Sequence, residues 1–337
     1  MTRYVIVGAG AIGGSLGGQL AQQGADPVLV ARGEHAAAMS ERGLRLRTPD
    51  EDVVVPVQVA TGPSDVRLNT DDVLVMTTKT HQIDAALTQW VDAPVYQDGR
   101  VIGTAGELLP VCTALNGVAS ETMAARYFRR VVGVCVWLPA VHLVPGEVIV
   151  RAARPSGMFH VGYYTPDRDG NGVLERVESD WTTAGFKVAV SNDVMPWKYR
   201  KLINNIGNIV QALVGSNGDA DDVASAARAE ARQVLEQAGI AVTDDAEEAA
   251  ARADSFTVAP VPGQPDEIGG SSWQSLARGT RGIETDYLNG EIALIARLHG
   301  LPAPINAKLA ALGRTAAASG QRPGDVSADE LRTVVGL

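Results

Sequence analysis

Residues 1–32 read MTRYVIVGAGAIGGSLGGQLAQQGADPVLVAR. Tyr4 to Val7 is a short apolar, β-branched run, the pattern of a buried parallel strand. Gly8, Gly10 and Gly13 follow with the spacing G-x-G-x-x-G, and a helical stretch runs from Ser15 to Gln23. Gly24 ends that helix, and Pro27 to Ala31 opens a second apolar run. Strand, glycine turn, helix and strand in so short a span form the βαβ unit that binds a dinucleotide. Gly8 then allows the tight turn, Gly10 lets the backbone approach a pyrophosphate, and Gly13 lets the helix pack on its strand. Ala11 and Ile12 lie between the last two glycines and belong to the same cofactor loop. Unpaired N–H groups at the helix start are the natural seat for the pyrophosphate.

The end of the second run selects the dinucleotide. An NAD site commonly carries Asp or Glu there, to hold the ribose 2′-hydroxyl. This chain has Arg32, in the stretch LVARGEH. A guanidinium pairs with a 2′-phosphate through charged hydrogen bonds, so NADP(H) is the expected cofactor. Glu34, two residues on, offsets part of that charge.

A chain of 337 residues has room for two domains, and an apolar fraction of 45% supports a substantial core. The net charge of −10 and the lack of a basic cluster argue against nucleic acid. The N-terminal apolar run is too short and glycine-rich for a signal peptide, and no stretch of about eighteen apolar residues predicts a membrane span. Cys112 and Cys135 are the only cysteines. They are expected reduced, in the interior of a cytoplasmic protein. His35, His81, His142, His160 and His299 show no ligand spacing, so no metal site is expected.

The first half alternates strands and helices, with further buried-strand runs at Asp72 to Thr77, Val131 to Leu138, Val148 to Val150 and Met158 to Tyr163. Beyond about residue 191 the texture becomes helical. One helix is expected over Trp197 to Val214, others over Asp222 to Gly239 and Ala246 to Asp254. A loop follows at Ala259 to Gly270, then a helix starting at the capping-box pair Ser271 and Gln274. A long amphipathic helix covers Thr285 to His299. The tail after Ser319 is polar and carries no clear signal. The predicted fold class is α/β: a Rossmann-type dinucleotide-binding domain over residues 1–191, then a mostly helical substrate domain over 192–337.

Such an arrangement places chemistry in the cleft between the two domains. Lys79 follows the strand DVLVMT, and Asn116 leaves an apolar stretch ahead of Gly117. In WKYRKLINNIGNIVQAL, Lys201, Asn205 and Asn208 stand at i, i+4 and i+7, one face of a helix. A lysine flanked by two amides suits neither an apolar core nor an ordinary solvated face.

These stretches together resemble the ketopantoate reductases, or 2-dehydropantoate 2-reductases, over nearly the whole chain. The resemblance is carried by GAGAIGG, by AR after the second strand, by TTKTHQ, by LNGVASE with its trailing Glu121, by WKYRKLINNIGN, by SSWQSLARGTRGIETDYLNGEI and by HGLPAPIN. It implies that Lys201 is the catalytic lysine, which stabilises the developing alkoxide and donates a proton. It implies that Glu284 engages the hydroxyl end of the substrate and that Ser272 holds its carboxylate. Asn116, Asn205 and Lys79 match positions that place substrate and nicotinamide, and Asn208 matches the second amide of the helix. Three departures stand out. Gly269 replaces a common Asn, Trp273 replaces a common Met, and Asn208 falls one residue early.

The expected activity is NADPH-dependent reduction of a small 2-keto acid, ketopantoate to pantoate first, as in pantothenate biosynthesis. A homodimer is compatible with it. One alternative is reduction of another keto acid or an imine, motivated by Gly269 and Trp273. Another, of a different class, is a cofactor-binding sensor or scaffold without turnover, but a sensor has no use for a proton donor at Lys201.

Overall fold

The computed structural model describes residues 2–166, 172–216, 218–253, 255–265, 269–279 and 282–337. The chain forms two compact units. The first comprises Met1–Leu115, Ser120–Val194 and Asp245–Asp266, the second Asn116–Ala119, Met195–Asp244 and Glu267–Leu337. A contiguous boundary at residue 191 is therefore crossed twice. Val118 is buried among the apolar side chains of the second unit, which draws the Asn116–Ala119 turn there. The Asp245–Asp266 segment is tied to the first unit instead. Lys187 Nζ donates to the Ala251 carbonyl (3.2 Å), the Ala259 N–H donates to the Arg151 carbonyl (3.0 Å), and Ala152 bridges Val258.

The first unit is built on an eight-stranded sheet. Its strands are β1 (Arg3–Val7), β2 (Val28–Val30), β3 (Gln58–Ala60), β4 (Asp72–Met76), β5 (Pro110–Thr113), β6 (Arg130–Trp137), β7 (Met158–Tyr163) and β8 (Lys187–Val190). The order is β8-β7-β6-β5-β4-β1-β2-β3, and every neighbouring pair is parallel except β6–β7. Both faces are covered, which explains the unbroken apolar runs. Tyr4, Ile6, Val73 and Val75 enter one core cluster, while Val5, Val7, Leu74 and Met76 alternate into the other. The strand order reverses between β1 and β4, and the glycine loop leaves the carboxyl end of β1 at that switch point. Helix α1 (Ala11–Gln22) follows directly.

The second unit is helical: α2 (Met195–Asn205), α3 (Asn208–Val214), α4 (Asp221–Gln237), α5 (Ser271–Ala277), α6 (Asn289–Leu298), α7 (Pro304–Ser319) and α8 (Ala328–Val335). Its core contains Leu202, Ile206, Ile209, Leu213, Ala227, Leu235, Ile292 and Leu309.

Four expectations are corrected here. The helix expected over Trp197 to Val214 breaks at Ile206–Gly207 into α2 and α3. The carbonyl of Ile206 at this break accepts from Asn289 Nδ2 (3.2 Å), in a fully buried position. The helix expected over Thr285 to His299 is a 3₁₀ turn, Glu284–Tyr287, followed by α6, with Leu288 leaving helical geometry at φ −117°, ψ −90°. Helix α5 does start at Ser271, but Gly270 is its cap and no capping box forms; Gln274 Nε2 donates to the Gly269 carbonyl instead (3.2 Å). The tail holds α8, opened by a genuine capping box between Ser327 and Glu330. Among the described residues, no helix is long and apolar enough to cross a membrane.

Candidate active site

In the first unit, Gly8 sits at φ +109°, a backbone conformation that side chains rarely adopt, and a Cβ there would lie 2.8 Å from the Thr78 nitrogen. Gly13 is crowded by the Gly8 carbonyl, the Thr77 hydroxyl and the Ile6 side chain. Thr77 Oγ1 donates to that same Gly8 carbonyl at 2.7 Å, so β4 and the loop are joined at this point. Gly10 has the opposite surroundings: a Cβ there would meet nothing within 4 Å. Ala11 and Ile12 form the first turn of α1, beside that open space. Arg32 is exposed at the end of the second strand, and its Nη2 donates to Gln89 Oε1 (2.7 Å). Lys79 is half-buried just past β4, at the start of a 3₁₀ turn.

In the second unit, Lys201 and Asn205 stand one turn apart on α2. Asn205 Nδ2 donates to Asn116 Oδ1 (3.1 Å), and Asn208 Nδ2 donates to Asn205 Oδ1 (3.4 Å). The three amides therefore form a chain despite the helix break, with Asn208 now the first residue of α3. Gly117, at φ +81°, brings its backbone against the Tyr287 carbonyl; a Cβ there would lie 2.7 Å from that oxygen. The Asn116–Gly117 turn thus abuts the 3₁₀ turn that begins with Glu284. Glu284 is buried, and its charge acts on Arg278. Partial burial lowers the Arg278 pKa, and the nearby Glu284 charge offsets part of that.

Ser272 is buried on α5, which packs on α3. The contact between these helices runs through Gly270. Its N–H donates to Gln211 Oε1 (2.9 Å), and a Cβ on it would lie 3.4 Å from the Asn208 side chain. Gln211 was not singled out from the sequence, although it stands three residues after Asn208 in an otherwise apolar stretch. The two departures at residues 269 and 273 are one feature. A Cβ at Gly269 would collide with the Trp273 indole, with Cβ and Cδ2 of that residue both at 2.6 Å. The half-buried Trp273 ring occupies the room that a side chain at 269 needs.

Residues 4–166 match the family described as Ketopantoate reductase PanE/ApbA, and residues 193–317 match its C-terminal domain. The chain belongs to this family. It is similar to the 2-dehydropantoate 2-reductase of Pyrococcus horikoshii, at 29% identity over 92% of this chain and 96% of that protein. Its similarity to the enzyme of that name from Mesorhizobium japonicum is 31%, over 94% of this chain and 99% of the relative. Among solved structures it resembles a PanE/ApbA family ketopantoate reductase from Ralstonia eutropha JMP134, at 26% identity and a TM-score of 0.74, over 95% of this chain and 99% of that one. The family shares the two parts found here, a parallel-sheet domain followed by a helical one.

The Gly269–Trp273 contact has a measurable consequence. Gly269→Ala is expected to cost about 1–3 kcal/mol in urea unfolding, the usual penalty for overpacking. The same change in a Trp273→Gly background is expected to cost less by most of that amount, because both the colliding Cβ and the ring are gone. Equal costs in the two backgrounds would show that the two positions are not coupled.

Proposed function

We propose that this protein reduces a small 2-keto acid to the 2-hydroxy acid with NADPH, ketopantoate to pantoate being the best-supported reaction. The observation that carries the reading is the hydrogen-bonded chain Asn116–Asn205–Asn208 one helical turn from Lys201, in a chain matched to this family along both of its parts.

The residues of the glycine loop fit a dinucleotide. Open space beside Gly10 leaves the backbone approachable, and the crowding of Gly13 holds the start of α1 against β1. Gly8, Gly10, Ala11, Ile12 and Gly13 would receive the pyrophosphate at that helix start. Arg32, exposed and steadied by Gln89, would pair with the 2′-phosphate. Lys79, just past β4, would serve the nicotinamide end. The bound cofactor supplies a hydride to the keto carbon.

The chain's own residues do the rest. The Lys201 ammonium lies against the keto oxygen, stabilises charge as it gathers there, and delivers the proton that completes the hydroxyl. Asn205 and Asn208 orient the carbonyl plane through their linked amides, and Ser272 donates to the substrate carboxylate. Glu284 accepts from the hydroxyl end of the substrate. A second reading, a keto acid with a flatter or bulkier side chain, is favoured by the Gly269–Trp273 pair, where an indole stands in place of a polar side chain.

Arg32→Ala should weaken NADPH by roughly ten- to a hundredfold in titration, the loss of a charged hydrogen-bonded pair, and leave NADH nearly unchanged. Equal wild-type affinities for the two dinucleotides would contradict the assignment.

The proton donor is tested by Lys201→Ala. It should lower kcat by roughly 10²–10⁴-fold while NADPH affinity holds, and Lys201→Arg should rescue poorly because guanidinium keeps its proton. Near-normal kcat in Lys201→Ala, beside an inactive Lys79→Ala, would move the role to Lys79.

A further inference from the structure

His35 lies at the start of the helix Gly33–Arg42. Its Nε2 is 2.7 Å from the carbonyl oxygen of Ala9, the buried residue between Gly8 and Gly10. Its Nδ1 lies 2.8 Å from the backbone nitrogen of Gly146. A carbonyl only accepts, and a backbone N–H only donates. The ring must therefore carry its hydrogen on Nε2 and none on Nδ1. Both contacts exist together in one state only, the neutral ring in that tautomer. A charged ring has donors on both nitrogens and loses the bond from Gly146.

The surroundings do not favour the charged ring. Helix α1, which follows Ala9, contains no ionisable side chain. On the side of Gly146, the His142 ring lies 4.1 Å from His35, centroid to centroid, and His142 Nδ1 donates to the Glu147 carbonyl (3.0 Å). The Glu147 carboxylate is engaged by Arg45 and Arg47. On its own helix the near charges are Arg32 and Glu34, both exposed. Partial burial lowers the His35 pKa from its ordinary 6.5, and the bond to Ala9 offsets this in part.

We propose that His35 is a positioning residue of the cofactor loop: its neutral ring clamps Ala9 to Gly146, and acidification releases the loop and weakens NADPH binding. The proposal rests on the dinucleotide reading given above. The sign follows from the clamp. The bound state favours the neutral ring, and partial burial already holds the free ring below the ordinary 6.5, so the contribution is present at neutral pH and is lost as pH falls below that lowered value.

The test measures NADPH dissociation constants from about pH 8 to about pH 5.5 for the wild type, His35→Gln and His35→Ala. A glutamine side chain offers an NH2 donor group and a carbonyl acceptor and does not titrate. Taking the ratio of wild type to His35→Gln removes the ligand's own phosphate titration. That ratio should be flat on the alkaline side and rise on the acid side, by up to roughly tenfold per pH unit. His35→Ala should bind about three- to tenfold more weakly than the wild type on the alkaline side, in KM for NADPH rather than kcat, with the gap closing on the acid side. A ratio independent of pH, or wild-type affinity in His35→Ala, overturns the proposal. If His35→Ala does not fold, the glutamine comparison still decides. Nitrogen NMR of His35 in the unliganded protein separates the clamp from the cofactor reading. A neutral ring protonated on Nε2 at neutral pH supports the clamp even if no dinucleotide binds, and the Nδ1–H tautomer or a charged ring overturns it.

Discussion

The lysine–amide face of the second unit depends on one buried amide. Asn289 Nδ2 donates to the Ile206 carbonyl at the break between α2 and α3, where a continuous helix would have supplied the partner internally. A buried carbonyl left unpaired costs more than a typical hydrogen bond gains, so the break survives only because this partner is in place. Asn289 is held in turn. It donates to Asn306 Oδ1, and Asn306 donates to the Ala227 carbonyl and to Glu230. Glu230 also accepts from the backbone N–H groups of Ile305 and Asn306, where its charge suits the start of α7. The network links α2, α4, α6 and α7 to one bend. Beyond the bend, α3 turns to α5, and Asn208 and Gln211 meet Gly270.

The glycine loop depends on crowding rather than on a network. Gly13 can approach β1 only because it has no side chain, and the Thr77 hydroxyl fixes the Gly8 carbonyl against it. That leaves Gly10 facing open space, which is what a backbone anion site needs. The glycine loop and the amide cluster thus follow different construction rules, close backbone packing in one unit and buried amides in the other.

Much of this was legible in the sequence because it follows from short periods. The strands Arg3–Val7 and Asp72–Met76 are buried on both faces, so they read as continuous apolar runs. Lys201, Asn205 and Asn208 share a helical face by spacing alone. The break beside Gly207 was not legible, because one glycine in a helical pattern costs only about 1 kcal/mol and does not dictate an interruption. The partner that meets the carbonyl at the break is Asn289, a residue distant in sequence. The Gly269–Trp273 coupling was hidden for a similar reason. The two departures were visible one by one, but only the ring's placement joins them. Helix α8 was overlooked although Ser327 and Glu330 carry a capping-box signature, which a polar tail disguised. The bond from Gly146 to His35 spans 111 residues, beyond any local pattern.

If the lysine–amide cluster serves reduction of a keto acid, turnover must couple NADPH oxidation to a 2-hydroxy acid product. The most direct measurement follows oxidation of NADPH with 2-dehydropantoate as the sole acceptor and identifies the product. One pantoate should form for each NADPH consumed. A folded protein that binds NADPH but consumes none, with 2-dehydropantoate or any other small 2-keto acid, would contradict it.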